Sequence, residues 1–398
     1  MDITIYPKKL SGTITAIPSK SQAHRLLICA AFSDVPTTII CPETNQDIEA
    51  TAACLNALGA EITRTDDGYM VIPVNELPHS ALLDCNESGS TLRFMLPIVG
   101  ALGVDATFQL AGRLPCRPLS PLWEEMERMG CMLSRPTKNT IHVQGQLRAG
   151  NYKIDGSVSS QFITGLLYAA ALMNGTTTIE VIGKLESKPY IEMTQQALSI
   201  FGVESQSFTV VGNGPLRSPG KLVVEGDWSN GAFFLAANEL GSDIAVSGLM
   251  SNSTQGDKKC ATMLSEIHNP ITIDAADIPD LVPILAVTAG ALTGATFKNI
   301  ARLRLKESDR VATVATMIEN LGGSAIVSEN EMQVLPGKCR SCTIDTAGDH
   351  RIAMAAAIAA TVADGPVTIL GAQCVAKSYP TFWDEYKRLG GSYEQYIR

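Results

Sequence analysis

The sequence predicts an α/β protein of two similar lobes, built from six βαβαββ modules of which the fourth is truncated. The main observation is a recurring helix ending, in which a glycine follows an apolar pair and permits the left-handed backbone of a helix C-terminus. Successive endings start roughly 54 to 72 residues apart, a period too long for a solenoid repeat but suited to a βαβαββ module. The endings are LNALG (55–59), MERMG (126–130), LSIFG (198–202), the glycine-free LSEIH (264–268), IENLG (318–322) and YKRLG (386–390).

The segments between these endings predict the other elements of each module in order. Most endings are followed by a strand, a polar turn and a second strand, as in EITRT, DDG and YMVIPV at 61–74. A further short strand then leads into a helix that small or polar residues open, as in NESGSTLR (86–93) and DGSVSSQF (155–162). The fourth ending breaks this pattern, because LSEIH passes almost directly into NPITIDAADIPD (269–280). The fourth module is therefore predicted to lack its hairpin.

Length, composition and charge favour a soluble cytoplasmic protein of two domains. With 398 residues, of which 45% are hydrophobic, the chain is long enough for two cores. Its formal charge of -9 disfavours a general affinity for nucleic acid or an anionic membrane. The N-terminus MDITIYPKKL has no apolar core of an export signal, and the longest apolar runs fall short of the ~18 residues of a spanning helix. The ten scattered cysteines suit reduced thiols.

The sequence predicts no metal site and no nucleotide cofactor. Cys339 and Cys342 form a CxxC motif, but no second pair follows, and the five histidines show no metal-ligand spacing. The nearest approach to a nucleotide P-loop is Gly220-Lys221, which lacks the upstream glycine, and no dinucleotide fingerprint is present. Two ordinary semi-buried cysteines are therefore expected at the CxxC.

Cations gather instead at the predicted helix starts and in the loops beside them. A helix N-terminus carries unpaired N–H groups and about half a positive charge, so it favours phosphate or carboxylate. PSKSQAHR (18–25) places Lys20, Ser21 and Arg25 at such a start, and RLRLKESDR (302–310) is predicted to carry alternating cations along an extended strand. Any one of these cations alone fits a solvated surface, but the group predicts a site for anions. The others are Arg113, Arg117, Lys306, Arg310, Arg351 and Lys377.

Two carboxylates near these cations are candidates for proton transfer. Glu307 is a sequence neighbour of Lys306 and Arg310, so it could exchange a proton with a substrate whose charges the cations neutralise, although nearby cations alone would lower its pKa. Asp280 stands just before the apolar run LVPILAV, where it is either a helix N-cap or a catalytic base. The same residue can be both.

Together these motifs resemble the 5-enolpyruvylshikimate-3-phosphate synthase family, in the order in which that family carries them. The resemblance extends from Lys8 to Leu389 and implies a two-lobe enolpyruvyl transferase fold, an inside-out α/β barrel-like arrangement with three modules in each lobe. The implied lobes are residues 19–226 and, discontinuously, residues 1–18 with 227–398. The motifs are PSKSxxxR, SGSTLR, RP, DGSVSSQF, SKPY, the IPD run, LKESDR, DHRxAM and KSYP.

The resemblance also implies a reaction and its site residues. The family transfers the enolpyruvyl group of phosphoenolpyruvate to the 5-hydroxyl of shikimate 3-phosphate and releases phosphate, through a tetrahedral intermediate and without a metal or organic cofactor. This step belongs to chorismate and aromatic amino acid biosynthesis. The implied catalytic residues are Asp280, Glu307 and Lys20. Those implied to bind shikimate 3-phosphate are Ser21, Arg25, Ser159, Ser160, Gln161, Ser187, Asp280 and Lys306. Those implied to bind phosphoenolpyruvate are Lys20, Gly89, Arg117, Gln161, Arg310, Arg351 and Lys377.

Two other functions stay open at this level. A sister family transfers enolpyruvyl to UDP-N-acetylglucosamine and carries a reactive cysteine several residues before its Arg-Pro, whereas here Cys116 directly precedes Arg117. A non-catalytic, anion-binding homologue is favoured only by the missing hairpin, whose loss shortens the lead-in to Asp280. Glu87, in the loop before Gly89, adds a negative charge near the implied phosphoenolpyruvate pocket. The expected partners are the two small-molecule substrates, with no nucleic acid and no membrane, and the chain is expected to be a monomer.

Overall fold

The computed structural model of the protein describes residues 1–396, and in it the chain divides into two units. The continuous unit is Pro18–Val224, and the discontinuous unit joins Met1–Ile17 to the chain from Glu225 onward. Each unit has a hydrophobic core made of its own residues. Within residues 1–396, every helix is too short or too polar to span a bilayer.

The discontinuous unit opens with strands β1 (Asp2–Tyr6) and β2 (Ser11–Thr15), after which the chain enters the continuous unit. The helices of the continuous unit are α1 (Lys20–Ala31), α2 (Gln46–Ala57), α3 (Gly89–Leu102), α4 (Leu122–Arg128), α5 (Ser160–Leu172) and α6 (Lys188–Ile200). Its strands are β3 (Thr37–Ile40), β4 (Glu61–Thr65), β5 (Gly68–Ile72), β6 (Ser80–Asp84), β7 (Asp105–Gln109), β8 (Cys131–Ser134), β9 (Thr140–Gly145), β10 (Asn151–Asp155), β11 (Gly175–Ile182), β12 (Ser205–Gln206), β13 (Thr209–Gly212) and β14 (Lys221–Val223).

The rest of the discontinuous unit follows the same alternation of strands and helices. Its helices are α7 (Trp228–Glu239), α8 (Cys260–Glu266), α9 (Val282–Ala291), α10 (Arg310–Asn320), α11 (His350–Ala360) and α12 (Phe382–Arg388). Its strands are β15 (Asp243–Ser247), β16 (Ile271–Asp274), β17 (Ala295–Lys298), β18 (Ser324–Val327), β19 (Glu331–Leu335), β20 (Cys342–Asp345), β21 (Val367–Leu370) and β22 (Ser392–Tyr396).

Five of the six sheets among residues 1–396 share one plan, which confirms the predicted module. Each has two parallel strands at one side and two antiparallel pairings beyond them, and in four of the five a single helix joins the two parallel strands; the exception is β3 and β14. The continuous unit holds the sheets β14-β3-β5-β4, β6-β7-β9-β8 and β10-β11-β13-β12, and the discontinuous unit holds β16-β17-β19-β18 and β20-β21-β1-β22. The glycines of the recurring helix endings have positive φ, from +80° at Gly202 to +121° at Gly130, as the C-terminal signal predicts.

The helix between the parallel strands is buried in each module because its residues are apolar on nearly every side. In α3, α5, α9 and α11 almost the whole helix is excluded from solvent. A helix without a polar face lies in the interior of a large protein. Polar and charged residues are therefore concentrated at the N-terminal ends of these helices, where the sequence motifs lie.

The sixth sheet is the truncated fourth module, as predicted. Among the described residues it consists of β2 and β15 alone, paired in parallel from Ser11↔Asp243 to Thr15↔Ser247. Helix α8 is followed after only residues 267–270 by β16, so the chain has no room for a hairpin at this point.

The predicted extended strand in RLRLKESDR is wrong, because Ala301–Leu305 forms a 3-10 helix. A strand needs a neighbouring backbone to accept and donate hydrogen bonds, and this segment bonds to itself instead. Leu303 N donates to Ile300 O at 2.9 Å, and the Leu303 side chain is buried in the core. The turn ends at Lys306, immediately before Glu307.

Candidate active site

Helix α1 places Lys20 and Ser21 in the first turn after its N-cap. Ser19 is the N-cap, and its side chain accepts a hydrogen bond from Gln22 N, which confirms the predicted helix start in PSKSQAHR. Lys20 Nζ lies 3.0 Å from Asp47 Oδ2, at the start of α2, and both side chains are largely shielded from solvent. The ammonium is therefore fixed at the starts of two helices, a position that suits an anionic ligand.

Arg25 lies one turn deeper in α1 and joins this helix to the start of α6. Its Nε donates to Thr194 Oγ1 at 2.9 Å and its Nη2 donates to Tyr190 O at 2.7 Å, while Nη1 donates to Ser21 O at 2.6 Å. The guanidinium also lies over the Phe94 ring, 5.3 Å from its centroid. These contacts fix the guanidinium plane beside the SKPY motif and still leave N–H donors of Arg25 for a ligand.

Gln161, in the first turn of α5, is oriented by two partners on α3. Its Oε1 accepts from Arg93 Nη1 at 2.7 Å, and its Nε2 donates to Ser90 Oγ at 2.9 Å. Arg93 is 3% exposed and also donates from Nη2 to Pro118 O at 3.0 Å. The SGSTLR, RP and SSQF motifs therefore meet at this point.

Gly89 opens α3 directly against the guanidinium of Arg117. A Cβ atom added at Gly89 would overlap Arg117 Nη1, so any larger residue at this position would displace the guanidinium of Arg117. A Cβ atom added at Gly112, where φ is +54°, would likewise overlap the carboxylate of Glu87. Glu87 therefore lies on the same loop system as Gly89 and Arg117, as the sequence suggested.

Three serines complete the predicted site in the continuous unit. Ser159 is the N-cap of α5 and accepts from Gln161 N at 3.3 Å, and Ser160 follows it in the buried first position of the helix. Ser187 precedes α6 with φ +54°, a left-handed conformation that costs a non-glycine residue about 1 to 2 kcal/mol. Ser187 is 2% exposed, so the surrounding structure holds this strained backbone in place.

In the discontinuous unit, three cations converge on Asp280. Arg310 Nη1 lies 2.6 Å from Asp280 Oδ1, Arg351 Nη2 lies 3.1 Å from Asp280 Oδ2, and Lys306 Nζ lies 3.8 Å from Asp280 Oδ1. The N-cap interpretation of Asp280 is wrong, because α9 begins at Val282 and its N-cap is Leu281. The carboxylate is used for ion pairing instead.

Arg310 connects Asp280 to Glu307 and to a buried third carboxylate. Arg310 Nη2 donates to Glu307 Oε2 at 2.8 Å, and Arg310 Nε donates to Asp349 Oδ2 at 2.8 Å. Arg310 is 1% exposed and Asp349 is completely buried. Asp349 also caps α11, where its Oδ1 accepts from Arg351 N at 3.0 Å. The LKESDR and DHR motifs thus form one network around a single guanidinium.

The charges of this network determine its protonation. Burial by itself raises the pKa of Asp280, but Arg351, Lys306 and Arg310 outweigh it and hold that pKa well below the ordinary value. Burial lowers the pKa of Lys306 to about 8, against the opposing attraction of Asp280. Burial also raises the pKa of Asp257 to about 6, with a further rise from Asp280. Asp280 is therefore ionised in the ligand-free protein.

Lys377 lies on a different element from Asp280, Glu307, Arg310 and Arg351. It is the last residue of the 3-10 helix Ala372–Lys377 and is 7% exposed. This 3-10 helix packs against α11, which carries Arg351. Lys377 therefore lies on an element that packs against α11, the helix that the DHR motif opens.

Four residues of these networks were not among the predicted site residues. Arg93 had a signal in the sequence, since it ends the SGSTLR motif, and Asp349 likewise opens the DHR motif. Asp47 and Asp257 lie in segments without a distinctive pattern. Asp47 is revealed only by its ion pair with Lys20, and Asp257 only by its burial close to Asp280. Among residues 1–396, no group of three or more His, Cys, Asp or Glu side chains is arranged to hold a metal ion.

Comparisons with known proteins agree with this geometry. The family described as EPSP synthase (3-phosphoshikimate 1-carboxyvinyltransferase) matches residues 5–386. The 3-phosphoshikimate 1-carboxyvinyltransferase of Clostridium beijerinckii is 35% identical over 430 residues, with 99% of both chains covered. The protein of the same name from Clostridium novyi is 37% identical over 435 residues, again with 99% of both covered.

Solved structures with the same fold come from two kinds of protein. An EPSP synthase from Acinetobacter baumannii superimposes with a TM-score of 0.80 at 23% identity, covering 99% of this chain and 100% of that one. The enolpyruvyl transferase NikO from Streptomyces tendae gives a TM-score of 0.77 at 17% identity, covering 99% and 98%. At these identities the likeness establishes the fold, which confirms the predicted two-lobe enolpyruvyl transferase architecture.

Proposed function

The chain belongs to the EPSP synthase family and is an enolpyruvyl transferase, and we propose how its residues divide the work of that reaction. The reaction moves the enolpyruvyl group of phosphoenolpyruvate to the 5-hydroxyl of shikimate 3-phosphate and releases phosphate. Both substrates are anions, so the protein needs several fixed cations and N–H donors for them. It also needs groups that move two protons, one at the hydroxyl and one at the methylene carbon.

The helix starts of the continuous unit supply fixed donors for both anions. In this proposal Ser21, Arg25, Ser159, Ser160, Gln161 and Ser187 bind shikimate 3-phosphate. Lys20, Gly89, Arg117 and Gln161 bind phosphoenolpyruvate. The support is that Arg25, Gln161 and Lys20 are each oriented by neighbouring protein groups at helix N-termini, where backbone N–H groups favour phosphate and carboxylate.

The observation that carries the proposal is the network around Arg310 in the discontinuous unit. Asp280 and Glu307 are bonded to the same guanidinium, at 2.6 and 2.8 Å. A purely anion-binding protein gains nothing from two carboxylates beside its cations, because they compete with the ligand for the same donors. Two carboxylates fixed by one cation suit two proton transfers at neighbouring atoms of a substrate.

We assign the hydroxyl proton to Asp280 and the carbon proton to Glu307, with Lys20 assisting. In the addition, the 5-hydroxyl oxygen bonds to carbon 2 of phosphoenolpyruvate and the methylene carbon gains a proton, which gives a tetrahedral ketal. In the elimination the ketal loses phosphate and a methyl proton. The same group can therefore donate the carbon proton first and accept it later.

Substrate binding would also adjust the basicity of Asp280. In the ligand-free protein the cations hold the pKa of Asp280 well below its ordinary value, so its carboxylate is a weak base. In the proposal the phosphoenolpyruvate anion pairs with Arg310, Arg351 and Lys377, and Lys306 reaches the shikimate hydroxyls. Each such contact draws positive charge away from Asp280, which raises its pKa towards a useful value for a general base.

The direct test is phosphate release from phosphoenolpyruvate, measured with shikimate 3-phosphate and separately with UDP-N-acetylglucosamine as acceptor. We expect release with shikimate 3-phosphate only, and a loss of at least about 100-fold in kcat for Glu307→Gln, since one positioned acid or base contributes about 10² to 10⁴. Glu319→Gln, on the solvent side of α10, is the matched control and should keep full activity. Absence of release with shikimate 3-phosphate from folded protein would contradict the proposal.

The two alternatives left open by the sequence lose support. The matched family and the named relatives favour shikimate 3-phosphate over UDP-N-acetylglucosamine. The non-catalytic alternative depended on damage from the missing hairpin. Asp280 nevertheless keeps its ion pairs to Arg310 and Arg351, so the truncation does not leave this carboxylate unsupported.

We further propose that the enzyme works as a cytoplasmic monomer. All ten cysteines are free thiols in the structure, and seven of them are buried, which suits a reducing compartment. Sedimentation velocity at micromolar concentration should give a single species with the mass of one chain, 42.4 kDa. A species of twice that mass would contradict the monomer.

A further inference from the structure

A buried chain of polar groups lies directly beneath Lys20 in the continuous unit. Helices α1 and α2 are joined by two contacts one turn apart, and each contact joins residues 27 positions apart in sequence. The outer contact is Lys20 Nζ to Asp47 Oδ2 at 3.0 Å. The inner contact is His24 Nδ1 to Thr51 Oγ1 at 2.6 Å. The buried His24–Thr51 contact therefore joins α1 to α2 one turn further in than the Lys20–Asp47 ion pair.

The inner contact continues into α3. Thr51 Oγ1 lies 2.7 Å from Thr91 Oγ1, which in turn lies 2.8 Å from the N-cap hydroxyl of Ser88. Thr91 Oγ1 also lies 3.4 Å from the carbonyl oxygen of Asp47. His24, Thr51, Thr91 and Ser88 are at most 1% exposed. The chain thus ties together the starts of α1, α2 and α3, and Thr51 lies on α2 one turn after Asp47, the residue that pairs with Lys20.

The hydrogen bonds also indicate where the protons are. The Thr91 hydroxyl has a single proton and two acceptors other than Thr51, namely Ser88 Oγ at 2.8 Å and the carbonyl oxygen of Asp47 at 3.4 Å, so we take this proton to be directed away from Thr51. In this arrangement Thr51 donates to Thr91, and His24 donates to Thr51 through Nδ1. This leaves the lone pair on His24 Nε2, which has no hydrogen-bond partner among the described residues. A buried acceptor without a partner is tolerated better than a buried N–H without one.

The imidazole remains neutral throughout the working range of an enzyme. Burial lowers the pKa of His24 to about 3, although Asp47 opposes that shift. His24 is also packed edge-on against Phe94, with ring centroids 6.3 Å apart. A neutral, packed imidazole in one tautomer is a fixed donor, and it gives the hydroxyl chain a single direction.

We propose that His24, Thr51 and Thr91 are positioning residues, whose hydrogen-bond chain fixes α2 against α1 and α3, so that Asp47 on α2 places the Lys20 ammonium for the reaction. None of the three touches a substrate in this proposal. The inference rests on the proposed role of Lys20 and goes beyond it, because it assigns a function to three interior residues and a tautomer to His24. Without the chain, α2 can shift relative to α1, and displacements of about 1 Å at a reacting group reduce rates strongly.

The test compares three threonine variants of the full-length protein. Thr51→Val keeps the shape and removes the hydroxyl, and Thr51→Ser keeps the hydroxyl. Thr177→Val is the matched control, because Thr177 is 1% exposed on β11 of the same unit and its hydroxyl has no hydrogen-bond partner among the described residues. We expect kcat to fall about tenfold in Thr51→Val, with a smaller change in the KM for shikimate 3-phosphate, and to stay near the wild-type value in Thr51→Ser and Thr177→Val.

Two outcomes separate this inference from the proposed function. If wild type is inactive with both substrates, the proposed function fails. If wild type is active and Thr51→Val, though folded, has the kcat of Thr177→Val, the positioning role is wrong. Nitrogen-15 NMR of the histidines in wild type decides the tautomer without reference to activity. A proton on Nδ1 of His24 supports donation from His24 to Thr51 and from Thr51 to Thr91. A proton on Nε2 reverses this direction and overturns the inference. This measurement needs only wild type, so it decides the question even if Thr51→Val fails to fold.

Discussion

Arg310 is the buried cation at the centre of the ion network in the discontinuous unit. Its guanidinium is 1% exposed and bonded to Asp280, Glu307 and Asp349. One buried cation among three carboxylates leaves a local excess of negative charge, which Lys306 and Arg351 reduce by approaching Asp280. A buried ion network of this kind contributes little net stability, but removing one member leaves an uncompensated charge. The proposed proton transfers by Asp280 and Glu307 therefore explain this network better than a contribution to stability does.

The pKa of Lys306 predicts a pH dependence for acceptor binding. Burial lowers this pKa from 10.5 to about 8, so the ammonium loses its proton as the pH rises through about 8. We expect the KM for shikimate 3-phosphate to increase above that pH in wild type. In Lys306→Arg the KM should stay level between about pH 7 and 9, because a guanidinium remains charged. Initial rates at saturating phosphoenolpyruvate would measure this, and equal pH profiles for the two proteins would contradict it.

The lowered pKa of Lys306 also predicts how the free energy of unfolding changes with pH. The folded-state pKa of Lys306 lies below the unfolded value, so between about pH 8 and 10.5 the unfolded chain binds more protons. The contribution of Lys306 to the free energy of unfolding therefore rises with pH across that window. Chemical denaturation of wild type and Lys306→Met at both ends of the window should show a difference that changes in this direction.

Asp349 should be far more important for stability than another helix-capping aspartate of the same unit. Asp349→Ala removes a buried partner of Arg310 and the cap of α11, and we expect a loss of about 3 to 5 kcal/mol in the free energy of unfolding. Asp309→Ala removes the cap of α10, where the carboxylate is partly exposed, and should cost about 1 kcal/mol. Urea denaturation of both variants tests this, and similar losses would show that the ion network adds nothing.

At the scale of elements, an asparagine side chain replaces part of the missing hairpin in the fourth module. Asp243 N donates to Leu10 O, so the even-numbered residues of β15 direct their backbone groups away from β2. At Ile244 both groups are satisfied by Asn238, whose Oδ1 accepts from Ile244 N and whose Nδ2 donates to Ile244 O, each at 2.8 Å. The carboxamide thus takes the place of a neighbouring strand.

The edge strand β4 of the continuous unit uses the same device. Asn56 bonds to both backbone groups of Ile62, at 3.2 and 2.7 Å, with the same six-residue spacing. An unprotected sheet edge invites pairing with other chains, and covering its backbone groups with a side chain is one way to prevent this. In the truncated module, the Asn238 side chain therefore protects the backbone groups of Ile244 at the edge of β15.

Asn238→Ala should destabilise the discontinuous unit by about 1 to 2 kcal/mol, since it removes two hydrogen bonds of about 1 kcal/mol each. Asn56→Ala should cost a similar amount in the continuous unit. We also expect Asn238→Ala to aggregate more readily on heating, which light scattering would detect. A free energy of unfolding within about 0.3 kcal/mol of wild type would mean that the carboxamide does not stabilise the β15 edge.

At the scale of the whole molecule, the two units depend differently on chain continuity. The core of the continuous unit consists of residues between Ala23 and Val224 only. The discontinuous unit needs its N-terminal segment, because β1 is an inner strand of the sheet β20-β21-β1-β22 and β2 is half of the truncated sheet. Loss of an inner strand exposes two backbone edges and part of the core.

We therefore predict that Pro18–Val224, expressed alone, folds into a unit with a single cooperative thermal transition and native secondary structure by circular dichroism. Deletion of residues 1–17 from the full chain should leave that transition in place and remove the ordered signal of the other unit. Amide hydrogen exchange would locate the loss. Protection throughout β20 and β21 in the truncated chain would contradict this prediction.

The sequence by itself determined the repeating module, the helix endings and the identity of the charged motifs. These features are local, because a left-handed glycine, an N-cap such as Ser19 or an apolar helix expresses its preference within a few residues. The absence of the fourth hairpin was equally visible, since it is a matter of chain length between α8 and β16.

Only the tertiary structure decided how the charged groups are paired. Asp280 fits a helix cap by its position in sequence, yet it pairs with Arg310 and Arg351, which lie 30 and 71 residues away. The Arg302–Lys306 segment looked like a strand, but no strand within residues 1–396 pairs with it, and Ala301–Leu305 closes into a 3-10 helix. Asp47 and Thr51 lie in no motif, and the pairing of Thr51 with Thr91 of SGSTLR was not predictable, because a hydrogen bond between helices depends on how the helices pack. Long-range electrostatics and packing, unlike caps and turns, leave no periodic signature in a single sequence.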